Sequence, residues 1–201
     1  MFTINIYLRF ALIALGIIGG TIMSASMGFW YGFPFILAGV ILLAGYFILG
    51  TVASAGQILQ SQDFDATEKR LDLTFFPRLL YVTNRAMYYI IKGSIAGYRK
   101  DNNTAEDYFN KALALKLPTD NEKGMVLLQL SNINASKQKW NVAKQYLRDL
   151  KKLKITEPQL KQQVEMFDKQ LSQVGQMKAH GMSGKRGGQM GGGKRRRPKM
   201  R

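Results

Sequence analysis

No cysteine occurs in the chain, which excludes disulfides, thiol catalysis and Cys-ligated zinc or iron–sulfur centres. A single histidine, His180, leaves little for a His-based metal site. Charge is missing over a much longer distance. None of the 29 basic and 13 acidic residues falls between Phe10 and Gln62, and no acid falls between Gly175 and Arg201. A run of 53 residues without a charge excludes a simple soluble domain. Arg9 alone precedes the gap. Nineteen basic and thirteen acidic residues lie between Asp63 and Val174, and nine basic residues lie between Gly175 and Arg201, so over half of the net charge of +16 is C-terminal. About 110 residues remain for a water-soluble domain, enough for one modest core.

The uncharged run is too long for one spanning helix of about 20 residues and fits two joined by a tight turn. The expected spans are Phe10 to Met27 and Phe33 to Leu59, within an anchoring segment over residues 1–62. Between them, Gly28-Phe-Trp-Tyr-Gly-Phe-Pro34 has helix breakers at its ends and three consecutive aromatics, the composition of a hairpin turning among headgroups. Gly16, Gly20 and Ser24 recur every four residues and form a stripe that another helix can approach closely. The second span, with Gly39, Ala44, Gly45 and Gly50, is the expected occupant, and another membrane protein is the alternative. No ionisable residue lies in either span, so a proton relay, ion pathway or transport site has no candidate group.

The turn carries no basic residue, whereas Arg9 flanks one end of the pair and Lys69 and Arg70 follow the other. Both termini are therefore expected in the cytoplasm, with the chain a multi-pass protein of the cytoplasmic (inner) membrane. Arg9, the apolar run to Met23 and Ser24-Ala25-Ser26 also fit a cleavable signal peptide. In that case the second span still stops translocation and leaves the remainder in the cytoplasm.

From Asp63 onward, apolar residues recur at three- and four-residue spacing. Helices are expected over Phe75 to Lys100, irregular at its start because of Pro77, then Thr104 to Lys116, Asn121 to Ser136, Trp140 to Lys154 and Pro158 to Gln173. Asp101-Asn102-Asn103 and Pro118-Thr119-Asp120 separate them, and Pro158 opens the last near its first turn. Thr104 with Asp107 is the one helix start that has a weak capping-box pattern.

The sequence repeats at an offset of 38 residues: Tyr89, Gly93, Ala105, Phe109 and Ala112 align with Leu127, Ser131, Ala143, Leu147 and Leu150. Small residues at such places let paired helices pack closely, while a large one fills the groove left by its neighbour. This pattern resembles the tetratricopeptide repeat (TPR), and Asn103-Thr-Ala-Glu-Asp-Tyr-Phe-Asn-Lys-Ala-Leu and Lys139-Trp-Asn-Val-Ala-Lys-Gln-Tyr-Leu look like second helices of such units. The resemblance covers about Ala86 to Ile155, with Pro158 to Gln173 as a capping helix. The spacing exceeds the usual ~34 residues, two units are visible where about three stack, and Asn134 stands where an aromatic is expected. A degenerate earlier unit, or Leu71 to Leu80 packed on the first repeat, would complete the core; an unrelated helical bundle is the alternative.

The resemblance implies a scaffold with a concave groove for a peptide or protein segment. Its groove-facing positions would be Met87, Ile90, Ser94, Gly97 and Tyr98, then Met125, Leu128, Asn132, Ala135 and Ser136. The Lys and Asn pattern with which some family members clamp a C-terminal carboxylate is absent. The expected fold class is all-α: a two-helix transmembrane hairpin, a juxtamembrane connector over 63–85, a TPR-like domain over 86–174 and a disordered basic tail over 175–201.

Between Gly175 and Arg201 there are eight glycines, four methionines and no aromatic residue, a composition unable to offset its ordering entropy by burial. The basic groups form clusters: Lys178, then Lys185-Arg186, then Lys194-Arg195-Arg196-Arg197 with Lys199 and Arg201. Glycine-spaced arginines follow an irregular phosphate backbone closely, which makes RNA the leading partner and anionic lipid the other. Gly188 to Lys194 has the spacing of a phosphate-binding loop, but Arg195 replaces the magnesium-holding Ser/Thr and no strand precedes it.

The function expected is a non-enzymatic membrane adaptor without cofactors. Its helical repeats bind a protein, and its tail binds RNA, in the most specific form the ribosome at the export or insertion machinery. The alternative is an assembly factor or structural subunit of a membrane complex, with the hairpin as binding element and the tail on lipid. No carboxylate pair, nucleophile or phosphate loop is placed as an enzyme would require.

Overall fold

The computed structural model describes the backbone of residues 6–186 and the side chains of residues 6–174. The described residues form helices, with no strand among them. The first two, α1 (Ile6–Met27) and α2 (Phe29–Leu49), are each long and apolar enough to cross a membrane, and α1 starts four residues before the expected Phe10, so that Arg9 lies within it and donates to the Leu42 carbonyl at 3.4 Å. A π-helical turn over Leu15–Gly19 interrupts α1. Gly28 reverses the chain in a single residue with φ +105°, a conformation that costs glycine little and other residues much. The turn expected over residues 28–34 is thus one residue long, and α2 begins at Phe29 with Pro34 inside it. Helix continues through Pro34 because the missing N–H deprives only one carbonyl of its donor, close to the helix start.

The second apolar helix ends at Leu49, ten residues before the end expected from charge. Gly50 breaks it with φ +63°, in space closed by Leu80 and Thr74. Residues expected to complete the span instead form α3 (Val52–Gln60), which pairs with α4 (Phe64–Asp72). Val52 and Ala55 are buried with Leu71, Leu80, Ile91 and Ile95. The expected boundary at residue 62 therefore falls inside a helical pair.

A 3₁₀ turn at Pro77–Leu79 leads to α5 (Val82–Tyr98), α6 (Asn102–Leu113), α7 (Asp120–Ser136), α8 (Trp140–Lys151) and α9 (Pro158–Arg186). Helix starts are set by caps. Asp63 accepts from the Ala66 N–H at 2.9 Å, and Asp101 from the Thr104 N–H at 3.1 Å. At α7 the Thr119 side chain accepts from the Glu122 N–H, and the Thr119 hydroxyl also contacts the Glu122 carboxylate. The box expected at Thr104 and Asp107 is replaced by the Asp101 cap, because α6 starts two residues earlier than its periodicity suggests.

Spacing of 38 residues recurs in the backbone. Gln62, Lys100 and Gln138 have φ of 60°, 63° and 60°, each closing the first helix of a pair. Each donates its N–H three residues back: to Leu59 at 2.9 Å, Gly97 at 3.0 Å and Ala135 at 2.9 Å. α5 and α7 have 17 residues each, α6 and α8 have 12 each, and α9 starts 38 residues after α7. The same periodicity orders the core: Val52, Ile90 and Leu128 are buried at one position, Ala55, Gly93 and Ser131 at a second, and Leu71, Phe109 and Leu147 at a third. So α3 and α4 form an earlier pair, in a stretch divided in the sequence between span and connector.

The last helix, α9, places Leu160, Val164 and Leu171 against Leu128, Leu147 and Leu150. Its expected end at Gln173 is passed, and the backbone of Gly175 to Arg186, expected to be disordered, is helical. A helix already nucleated gains one bond for each residue it adds, which carries it past single glycines that cost about 1 kcal/mol each. The expectations for Gly187 to Arg201, including Lys194, Arg195, Arg196, Arg197, Lys199 and Arg201, lie outside the described residues, as do those for the side chains of Lys185 and Arg186.

Candidate partner groove and its attachment to the apolar hairpin

Between the first helices of successive pairs lies a groove of about 490 Å³ lined by Phe64, Gly93, Ser94, Gly97, Tyr98, Asn102, Phe109, Gln129, Asn132, Ile133 and Ser136. Its floor depends on a close approach. A β-carbon on Gly93 would stand 3.0 Å from the Phe109 ring, so the bare backbone lets α6 lie against α5. At the corresponding place Ser131 is buried, and its hydroxyl donates to the Ala143 carbonyl at 2.7 Å. One end of the groove is walled by Phe64 stacked on Tyr98, with ring centroids 3.9 Å apart. The other carries the Asn102 amide donating to the Ser136 hydroxyl at 3.2 Å.

Of the residues expected on this surface, Ser94, Gly97, Tyr98, Asn132 and Ser136 line the groove. Ile90 and Leu128 do not: they are 2% and 3% exposed and belong to the core. Met87, Met125 and Ala135 are partly buried and pack against core clusters. The helical period brings Ile90 and Ser94 close to one face, but the seam with the neighbouring pair takes the first and leaves the second open. Sequence reasoning missed Phe64, Gln129 and Phe109. Phe64 belongs to the earlier pair, which the charge pattern splits between span and connector.

Ion pairs join the helices behind the groove. Lys92 reaches Asp72 at 2.9 Å, and Arg99, at the C-terminal cap of α5, donates to both Glu68 carboxylate oxygens at 3.2 Å and 2.5 Å, linking α4 to α5. Burial lowers the Lys92 pKa, but the bond to Asp72 and neighbouring negative charge outweigh it and leave the ammonium above its ordinary value. Between α6 and α7, Glu106 accepts from Lys137 at 2.6 Å and from the buried Asn134 amide at 3.0 Å. The bond from Lys137 holds the Glu106 carboxyl below its ordinary value, against a smaller opposing effect of burial. No grouping of three or more His, Asp or Glu side chains suited to a metal occurs among the described residues.

The small-residue stripe of α1 lies against α2. A β-carbon on Gly16 would be 3.1 Å from the Gly39 Cα, and one on Gly20 would be 3.0 Å from the Gly32 carbonyl oxygen. One on Gly32 would overlap the Gly20 carbonyl and the Ser24 hydroxyl. Gly39 is thus the expected small partner that meets the stripe. Gly45 instead faces the Arg9 guanidinium, Gly50 faces Leu80 and Thr74, and Gly32, assigned to the turn, is the other close contact.

The helical pairs are fixed to the end of α2 by polar contacts. The Tyr81 N–H donates to Ile48 at 2.9 Å and the Asn84 amide to Leu49 at 2.9 Å, satisfying carbonyls that a helix C-terminus leaves free. The Thr51 hydroxyl donates to the Arg70 carbonyl at 2.7 Å, its N–H donates to the Thr74 hydroxyl at 3.2 Å, and the Tyr46 hydroxyl donates to the Leu73 carbonyl. Arg70 also lies 5.9 Å from the Tyr7 ring centroid, tying α4 to the start of α1. These residues define an all-helical protein with two apolar helices fixed to an array of helical pairs. No family model, curated protein or solved structure matches the chain.

Proposed function

We propose that the chain is a non-enzymatic membrane adaptor. Its helices α1 and α2 cross the cytoplasmic membrane with both termini inside, its TPR-like pairs bind a protein segment, and its basic C-terminal end binds RNA, in the most specific case that of a membrane-docked ribosome. The observation that carries this reading is a groove between pairs recurring at 38 residues, anchored to the end of an apolar hairpin by the Tyr81 and Asn84 contacts. An open groove of side chains with hydroxyl, amide and aromatic groups suits an extended segment that needs both hydrogen bonds and apolar contact. The nine basic residues after Val174, without an acid, supply phosphate contacts beyond a whole array of helices from the membrane. The alternative is an assembly factor or structural subunit of a membrane complex, acting through the hairpin with the tail on anionic lipid, for which the small-residue stripe would be one contact surface. That stripe is occupied by Gly32 and Gly39.

Purification in mild detergent at low and then raised salt tests the reading. Ribosomes or RNA should accompany the full chain at low salt and leave it when salt is raised or Lys185 to Arg201 are deleted. A protein partner should survive that deletion and be lost when Ser94→Arg and Asn132→Arg fill the groove. A membrane complex devoid of RNA and unchanged by all three alterations would sink the proposal.

A further inference from the structure

The segment Thr74 to Val82 displays apolar groups without covering them. Phe75, Phe76, Leu79 and Tyr81 are 65%, 56%, 60% and 62% exposed, whereas Leu80 between them is buried and holds the segment on α3 and α5. Four large exposed apolar side chains within seven residues form a patch that a water-facing loop does not sustain. Its place in the fold says what meets it. The Phe76 ring lies 5.9 Å from that of Phe47, and the Tyr81 N–H is bonded to Ile48, so the patch sits beside the last turn of α2. It continues the exposed apolar surface of that helix at Ile48 and Leu49. Arg78 is exposed within the same segment, and the Arg85 guanidinium donates to the Arg78 carbonyl at 3.5 Å. The acid nearest the segment in the sequence, Asp72, is paired with Lys92 at 2.9 Å.

We infer that the Phe75–Tyr81 segment is a second, interfacial membrane anchor, inserting Phe75, Phe76 and Leu79 at the boundary of headgroups and acyl chains of an anionic leaflet. This rests on α2 crossing the bilayer. Aromatic rings and an arginine whose charge can reach outward are the side chains such a boundary accommodates. The consequence is mechanical. The Tyr81 and Asn84 contacts fix the helical pairs to the end of α2, and a lipid contact beside them adds a restraint on the tilt of the groove relative to the membrane plane.

The absence of native cysteine makes the test direct. Single variants Phe75→Cys, Leu79→Cys, Ile41→Cys and Lys139→Cys of the full chain carry a nitroxide in vesicles of phosphatidylcholine and phosphatidylglycerol. Collision rates are measured with oxygen, which concentrates in lipid, and with a water-soluble nickel chelate. Labels at 75 and 79 should collide severalfold less with nickel and more with oxygen than the label at 139, and report a shallower depth than the label at 41. Nickel access at 75 and 79 equal to that at 139, with 41 still in lipid, overturns the anchor while leaving the span intact. Low access to both agents at 75 and 79 places protein over the patch and also overturns it. An aqueous label at 41 removes the span and the inference with it. Retained helicity of each labelled variant, by circular dichroism, establishes that the comparison is made on folded chains.

Discussion

Asn134 occupies a place where the resemblance to TPR units leads one to expect an aromatic, and its environment accounts for the exchange. The buried amide donates to the Leu130 carbonyl at 2.9 Å and to Glu106 at 3.0 Å, so the position supports a polar bridge. Glu106 is drawn below its ordinary pKa of 4.5, chiefly by Lys137. A depressed carboxylate contributes stability that is present above the unfolded pKa and lost as pH falls through the folded one. Glu106→Gln should therefore lower stability by about 1–3 kcal/mol at neutral pH, as charge-assisted hydrogen bonds are lost. It should also flatten the loss of the thermal midpoint that the native chain undergoes on acidification below about pH 4.5. Equal acid sensitivity of the two proteins in detergent would show that this bridge does not couple to folding. In the hairpin, Gly32→Leu should lower the thermal midpoint by the equivalent of about 1–3 kcal/mol or more, because α1 backbone and Ser24 fill the space a side chain would need. Gly19→Leu serves as the comparison, since a β-carbon there meets nothing within 4 Å.

Among elements, the ends of α3, α5 and α7 show best what periodicity can and cannot disclose. Each stops at a residue with φ near +60°, occupied by Gln62, Lys100 and Gln138 where glycine is favoured. Lys100→Gly and Gln138→Gly should each raise stability by about 1 kcal/mol by relieving the clash of a β-carbon with the backbone. Thermal unfolding of each single variant checks this, and a fall in midpoint would contradict it. The aligned Gly93 and Ser131 are visible in the sequence because they recur with Ala105 and Ala143. Ala55, at the place of Gly93 in the earlier pair, is hidden because Val52 to Gln60 carries no charge and so resembles a continuation of the span, and Thr67, at the place of Ala105, is thereby left in the connector. Of the groove, Ser94, Tyr98 and Asn132 are legible as one face of each first helix. Ile90 and Leu128 are misplaced by sequence because an apolar face reveals burial without revealing which neighbour buries it.

For the molecule as a whole, the apolar stripe of α9 packs on the last helical pair, where it covers Leu128, Leu147 and Leu150 in a capping role. Truncation after Val174 removes none of Leu160, Val164 or Leu171 and should leave the thermal midpoint unchanged. Truncation after Thr156 removes all three from the core they share with Leu128, Leu147 and Leu150. At about 1.5–3 kcal/mol for each buried side chain, that loss is comparable to the stability of an ordinary domain. The shorter chain should aggregate or become protease-sensitive, and a folded product with the midpoint of the longer one would refute the capping role. Sequence alone determined the two apolar helices, the helical character of the chain beyond them and the segregation of basic residues, since each depends on composition and short-range spacing. Tertiary structure decided where the apolar helix stops and the first pair begins. It also decided which small residues meet across the hairpin and which side chains remain open in the groove. An uncharged amphipathic helix has the same local pattern whether it meets lipid or protein, and the difference at Val52 to Gln60 arises only from Leu71, Leu80 and Ile91, which reach it from later in the chain.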